Sequence, residues 1–541
     1  MKKSIFCFAV LVVSLKISSA KCELLPDDFK AIYSEAESYL INENYNSALP
    51  LYLKLEQMKM SNANINFKIG LCYLNASTNK PKSIPYFISA LKNVTTGKYK
   101  EGDLKEVQAP LSTYYYLGKA YQLNYDFDNA IKNYEIYKKQ LGTSSKVESD
   151  LEDVMHDIET CNNAKILMKD KKDVTITNLG KNINTIYDDF SPVISLDEQT
   201  LIFTSNREGV TGNEMKPNGN FYEDIFISHF KNGEWQKAVS IGPNINTSRD
   251  EACVNLSADG QKLLIYKDDF GDGNIYVSEL KWAVWGVPEQ LKAGINSPAW
   301  ETHACFTADN NTLYFVSDRP GGFGGRDIYK CLKLPNGKWG PAQNLGDIIN
   351  TKYDEDGIFI HPDGKQIFFS SKGHNTMGGF DIFTSTINDE NGFWSAPVNI
   401  GNPINTPDDD IFFVTTADGK HSYMSSVKDG GFGNKDIYLV TYAEFEPRDI
   451  TLLIGVIVNN TKENIAKNTI TITNAKTNEV VQVLSANSAT GKFGANLPVG
   501  KSYKISYVVS GKEISNETID VPLSKGYQIL NKEILYNGKG K

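Results

Sequence analysis

The 541-residue chain is short of the residues that most chemistry needs. Its seven cysteines form no Cys-x-x-Cys pair and no metal spacing, which argues against a zinc site or a disulfide framework and reads the scattered thiols as small buried apolar residues. The six histidines, His156, His229, His303, His361, His374 and His421, show no ligand spacing, and neither a Gly-x-Ser-x-Gly elbow nor a His-Glu-x-x-His pair occurs. No cofactor is implied. There is no basic excess: a formal charge of −9 gives no overall attraction for nucleic acid or anionic lipid. Nor does any apolar run approach the roughly 20 residues that span a bilayer.

What is present begins with an export signal. Lys2 and Lys3 precede the apolar run Ile5 to Val13, and Ser18-Ser19-Ala20 supplies small residues for cleavage, so residues 1–20 are expected to be removed and the mature chain to be soluble. Cys22 offers a second reading, acylation at the cleavage point, although Lys21 stands where the lipoprotein peptidase prefers a small residue. The length suggests about three domains.

Over residues 24–170 apolar residues recur at helical spacing. Phe67 to Tyr73 matches Tyr115 to Tyr121, each with a glycine (Gly70, Gly118) flanked by large residues, as where two helices approach closely. Asn44 to Ala48 likewise matches Asp126 to Ala130. The pattern resembles tetratricopeptide repeats, whose paired helices leave a concave groove. The 48 residues from Gly70 to Gly118 exceed the usual repeat, so an irregular loop is expected over 92–110, and a capping helix over 147–168.

Over residues 173–445 the period becomes that of strands. A turn recurs at Asp197, Asp259, Asp309, Asp363 and Asp418, spaced 62, 50, 54 and 55 apart. Twelve residues before each stands Thr185, Thr247, Ser297, Thr351 or Thr406, always after an asparagine (Asn184, Asn246, Asn296, Asn350, Asn405). Eight before stands an acid: Asp189, Glu251, Glu301, Glu355 or Asp410. After each turn comes Asp or Asn, Ile and an aromatic, at 224, 274, 327, 381 and 436. Such repetition indicates a five-bladed β-propeller. The fifth repeat lacks an outer strand, so Val174 to Leu179 is expected to close the ring and remove its open edge. Residues 449–537 then show short alternating strands, a small β-sandwich. The whole is thus multidomain: all-α helical repeats, a propeller and a sandwich.

Ser257 to Leu263 and His361 to Ile367 resemble the repeats of TolB-like propellers. The pieces Gly455-Val456, Gly491-Lys492-Phe493 and Leu497-Pro498-Val499-Gly500-Lys501-Ser502-Tyr503 resemble the carboxypeptidase regulatory-like domain. In this order the three resemble the PorE-like, OmpA-family envelope proteins of Bacteroidetes. The resemblance implies a protein-binding component of the periplasm or inner face of the outer membrane, with envelope or type IX secretion proteins as partners. The chain stops short of the family's peptidoglycan-gripping OmpA domain, so that role is not implied.

A pair of carboxylates across a propeller channel would suit a glycosidase. All five repeats carry the acid, however, which favours a repeated structural contact over catalysis. A loop-face binding surface is the alternative, with Arg207, Arg319 and Lys428 ten residues after their turns. The first repeat also carries about nine extra residues within Glu208 to Tyr222, among them Val210, Asn213 and Lys216. These are expected to project for partner contact. The loop from Asp268 to Asn274 hints at calcium but breaks the EF-hand pattern at Phe270.

Overall fold

The computed structural model describes residues 26–538 except 59–61, 77–78, 143–146, 269–270, 293, 389, 429, 446–447, 462–464, 466 and 524–525. The export signal and Cys22 lie outside the described residues. Among those described, seven α-helices come first: α1 (Pro26–Ile41), α2 (Tyr45–Met58), α3 (Ala63–Leu74), α4 (Ser83–Ala90), α5 (Thr113–Leu123), α6 (Phe127–Leu141) and α7 (Glu148–Leu167). None is long and apolar enough to cross a membrane. Asn62 and Asp126 accept the amides of Ile65 and Asn129 at 3.2 Å, satisfying donors that helix starts leave unpaired.

The two matched glycines have one geometry. A Cβ on Gly70 would lie 2.5 Å from the Phe87 ring, and one on Gly118 would lie 2.5 Å from the Tyr134 ring. Each glycine therefore lets a buried aromatic of the next helix press against its backbone. The residues behind the long spacing cross α3: Tyr99 Oη donates to Asn64 Oδ1 at 2.6 Å, and the Asp103 and Glu106 carbonyls accept from Tyr33 and Asn64 at 3.4 Å. Helix α3 is consequently buried on most of its surface, including Lys68, which is 2% exposed and paired with Glu37. The loop between α4 and α5 thus covers α3 beside Tyr33 and Asn64.

From Val174 to Tyr442 the chain forms five antiparallel sheets, consistent with a propeller. Their first strands are Asp189–Ile194, Glu251–Leu256, Glu301–Phe306, Glu355–Ile360 and Ile411–Thr415. Each packs on the first strand of the next sheet, and the fifth returns to the first. Val174–Asn178 pairs antiparallel with Asp436–Tyr442, from Val174 opposite Tyr442 to Asn178 opposite Tyr438, so the fifth sheet takes its outer strand from the start of the segment.

The repeated asparagines weld neighbouring sheets. In every junction the asparagine side chain accepts the N–H and donates to the C=O of one isoleucine in the preceding sheet: Asn184 with Ile437, Asn246 with Ile225, Asn296 with Ile275, Asn350 with Ile328 and Asn405 with Ile382, all at 2.8–3.0 Å. The side-chain amide mimics a ladder residue: it accepts the buried N–H and adds a second donor to a carbonyl that also accepts the backbone amide of Leu179, Ile241, Leu291, Leu345 or Ile400. At the axis, Phe190 and His303 from the first and third sheets both stack on Phe412 of the fifth, at 6.0 and 5.5 Å. A cavity of about 60 Å³ lies at the turn end, lined by Leu196, Ala258, Ala308, Pro362 and Ala417.

Residues 450–536 form a three-stranded and a four-stranded sheet around one core. Here the sequence motifs acquire reasons. A Cβ on Gly455 would meet the Phe493 ring at 2.1 Å, so glycine makes room for that phenylalanine, and Tyr503 Oη donates to the Pro498 carbonyl at 2.7 Å. This unit sits on the Asp-turn face of the ring, where Asn496 and Gln482 donate to the Pro362 and Ala308 carbonyls at 2.6 and 2.9 Å. Leu196 and Ala417 of the turns pack with Ile450 and Leu452.

Candidate functional site

The repeated acids are wholly buried, each 0% exposed. Each accepts the amide and the hydroxyl of the Thr or Ser four residues earlier at 2.6–3.0 Å. Ser317, Ser371 and Ser426 add a third bond to Glu301, Glu355 and Asp410 at 2.7–2.8 Å. A carboxylate without water requires such a shell.

The bases assigned to the loop face belong to the same shells. Arg207 pairs with Asp189 and donates to the Ile183 carbonyl at 2.8 Å. Arg319 contacts Glu301 at 3.0 Å and donates to the carbonyls of Gly294 and Ile295. Lys428 donates to the Pro403 carbonyl at 3.1 Å and draws down the Asp410 carboxyl, although burial still holds that group up at about 6. In the second sheet Lys267 serves Glu251 at 3.3 Å from the position where other sheets have serine. The fourth sheet departs from this. Gly373 replaces the base, His374 Nε2 takes the bond to the Ile349 carbonyl at 2.9 Å, and burial raises the Glu355 carboxyl to about 7 with Asp327 adding repulsion.

The insertion of the first repeat is anchored at a few points and exposed between them. Val210 is 2% exposed within the core of the first sheet, and Thr211 bonds Asp224 through both its amide and hydroxyl. Asn213 Oδ1 accepts the Gly209 amide at 3.1 Å. Lys216 reaches Asp250 at 2.7 Å and Glu223 at 3.6 Å, and Gly219 abuts the Asn44 side chain at the α1–α2 turn. Val210 and Lys216 thus find partners on the ring, while Glu208, Asn213, Glu214 and Met215 remain exposed.

The helices also dock on the fourth and fifth sheets. His156 of α7 stacks on Tyr353 at 4.0 Å and donates to the Lys372 carbonyl at 2.9 Å. Asn163 and Gln122 donate to the carbonyls of Thr376 and Met377 at 3.2 Å. Met377 itself is fully buried among Phe127, Tyr134, Val154 and Cys161. Lys80 pairs with Asp408.

Aligning the five repeats exposes a position that sequence reasoning missed. The residue before each inner acid is Asp188, Asp250, Trp300, Asp354 or Asp409. Each aspartate accepts a backbone amide of the preceding sheet at 2.9–3.1 Å: Lys435, Glu223, Arg326 and Phe380, respectively. Trp300 cannot, and is 44% exposed. Its indole is nevertheless held: Nε1 donates to Tyr266 Oη at 3.0 Å, its amide donates to Asp318 at 2.7 Å, and Gly273 lies directly beneath the ring. Phe323, also of the third sheet, is 51% exposed. The signal was a column of four aspartates and one tryptophan.

No family model matches the chain, and no curated protein does. Among solved structures, TolB from Acinetobacter baumannii is 17% identical with a TM-score of 0.27, over 47% of this chain and 55% of that one. An α-L-arabinanase from Penicillium chrysogenum is 12% identical with a TM-score of 0.30, over 49% and 97%. A β-1,2-mannobiose phosphorylase from Listeria innocua is 9% identical with a TM-score of 0.33, over 49% and 93%. The chain thus spans about half the length of that TolB, and the reading of the ring rests on its own strand pairing.

Proposed function

We propose that the chain is a non-catalytic protein-interaction scaffold of a bacterial envelope, in which a five-bladed propeller is held between tetratricopeptide-like repeats and a carboxypeptidase regulatory-like sandwich. It acts in the periplasm or at the inner face of the outer membrane, with type IX secretion or gliding proteins as partners. The reading is carried by Trp300: a rigid, half-exposed indole replaces a structural aspartate in one repeat of five, on a stretch of the loop face where the helices do not dock. Pre-ordered tryptophans are the residues that dominate protein interfaces. The engagement of all five acids by hydroxyls and amides favours a structural role over the paired carboxylates of glycoside cleavage.

The test is a photo-crosslinking residue at position 323 in cells producing the full chain. A discrete envelope-protein adduct is expected, falling at least about tenfold in Trp300→Asp, which restores the aspartate of the other repeats. Absence of any adduct, together with turnover of a glycan panel that Glu301→Gln abolishes, would overturn the proposal.

A further inference from the structure

The C-terminal unit leaves a cleft of about 1190 Å³ against the ring, above the range of ordinary small-molecule pockets. One wall is the strand Val480–Leu484, all five residues of which line the cleft although Leu484 also sits in the core of the unit. Side chains of a strand alternate between faces, so a run of consecutive lining residues means that the strand presents its edge. That edge is free: the strand pairs with Asn468–Asn474 on one side and, among the described residues, with no strand on the other. Val480 and Val483 are each 55% exposed beside it.

The opposite wall holds Trp282, which is 49% exposed and has φ +61°. A bulky residue rarely adopts that conformation, and the matching turn of the first sheet uses Asn232 at φ +56°. The chain therefore places an aromatic at a turn position that suits asparagine, and its amide donates to Ser488 Oγ across the cleft at 2.7 Å. Strain of this kind gathers where a side chain is needed for contact. The polar lining is unequal in its free valences. Asp259 and Asp309 accept the amides and hydroxyls of their own turns, and Glu279 stands opposite Lys262 in register. Lys281 and Lys333 have no carboxylate at ion-pair distance among the described residues, and burial and Lys262 lower the Lys333 ammonium against the weaker attraction of Asp309.

We infer that this cleft takes an extended acidic segment of a partner polypeptide, which adds as a strand to Val480–Leu484, packs apolar side chains on Trp282 and Val483, and sets carboxylates against Lys281 and Lys333. Edge pairing supplies backbone bonds, while the aromatic and the lysines choose the sequence. The inference deepens the scaffold reading but concerns the turn side of the ring, so its failure leaves the loop-face test at Trp300 standing.

The probe is a fluorescent, terminally blocked heptapeptide alternating Val and Glu, titrated onto the full chain by anisotropy. Saturable binding is expected, at least about tenfold tighter than for the Val–Lys peptide. Trp282→Asn, which relieves the turn and should leave the melting temperature unchanged or higher, weakens binding about tenfold. The double variant Lys281→Glu, Lys333→Glu reverses the preference, and N-methylation of alternate peptide amides abolishes binding. Equal binding of both peptides, indifference to Trp282→Asn or full affinity of the N-methylated peptide would each overturn the inference. A concentration-dependent dimer lost in Trp282→Asn would also overturn it, by making a second copy the occupant.

Discussion

The third and fourth sheets are built on one plan and used differently. Both have an inner glutamate in a shell of Thr or Ser, amide and Ser, an asparagine clasping the preceding sheet, and an Asp-Ile-aromatic strand. In the third, Arg319 balances Glu301, Phe323 stands bare and Trp300 is exposed. In the fourth, Gly373 takes the place of the arginine, Met377 occupies the position of Phe323 and is buried by the helices, and Asp354 keeps its structural bond. Phe323 and Met377 are true equivalents, since each amide caps the aspartate four residues on, at 2.6 and 2.9 Å. The ring is thus defined by residues at the sheet junctions. Loop residues beyond those bonds are free to change, and one loop has become an internal dock while its neighbour presents the same knob to solvent.

The largest break in the comparison should come at Arg319. Arg319→Met leaves Glu301 buried without its cation, and removal of one partner of a buried pair costs about 3–5 kcal/mol. The fourth sheet has no such cation to lose. Thermal unfolding should show a large drop for Arg319→Met. A shift no larger than that of an exposed substitution would mean that hydroxyls and amides alone suffice for Glu301.

The next effect separates dock from bare knob. Met377→Ala empties a fully buried site between the ring and α5–α7, with an expected loss of about 2–4 kcal/mol. Phe323→Ala removes a half-exposed ring and should change stability by less than about 0.5 kcal/mol. Limited proteolysis should release the helices from the ring in Met377→Ala alone. Equal melting temperatures for the two variants would show that Met377 adds nothing to the docking.

Much of the ring was legible because its bonds are short in sequence and repeat at fixed offsets. The hydroxyl-to-acid contacts span four residues, and the turns punctuate every strand pair. The closing strand was legible as well, from the missing outer strand of the fifth repeat. The direction in which a charge points was not. Arg207 and Arg319 lie on loops near the predicted face, yet their guanidinium groups turn inward because carbonyls of the preceding loop and a buried acid converge there. Glycines and a proline marked the insertion as a loop, but the burial of Val210 depends on a core assembled from distant strands. Met377 and Trp300 emerge only when the repeats are compared column by column.

The smallest effect sharpens the contrast through its sign. Burial raises the Glu355 carboxyl from its ordinary value near 4.5 to about 7, and Asp327 adds to the shift. For an acid raised in the folded state, the unfolded chain releases its proton first as pH rises. Stability associated with the protonated form is therefore complete below about pH 4.5 and is lost as pH climbs through 7. Glu355→Gln keeps a neutral group able to serve Thr351 and Ser371, so it should stabilise the protein at pH 8, by an amount on the order of 1–2 kcal/mol. As pH falls toward 5 the wild-type carboxyl takes up its proton and the advantage should shrink. Glu301→Gln should behave oppositely at pH 8, because it removes the partner of Arg319. Melting temperatures of the three proteins between pH 5 and 8 test the pair. A Glu355→Gln gain that stays constant with pH, or a loss at pH 8, would place the cost elsewhere than on the ionised carboxylate.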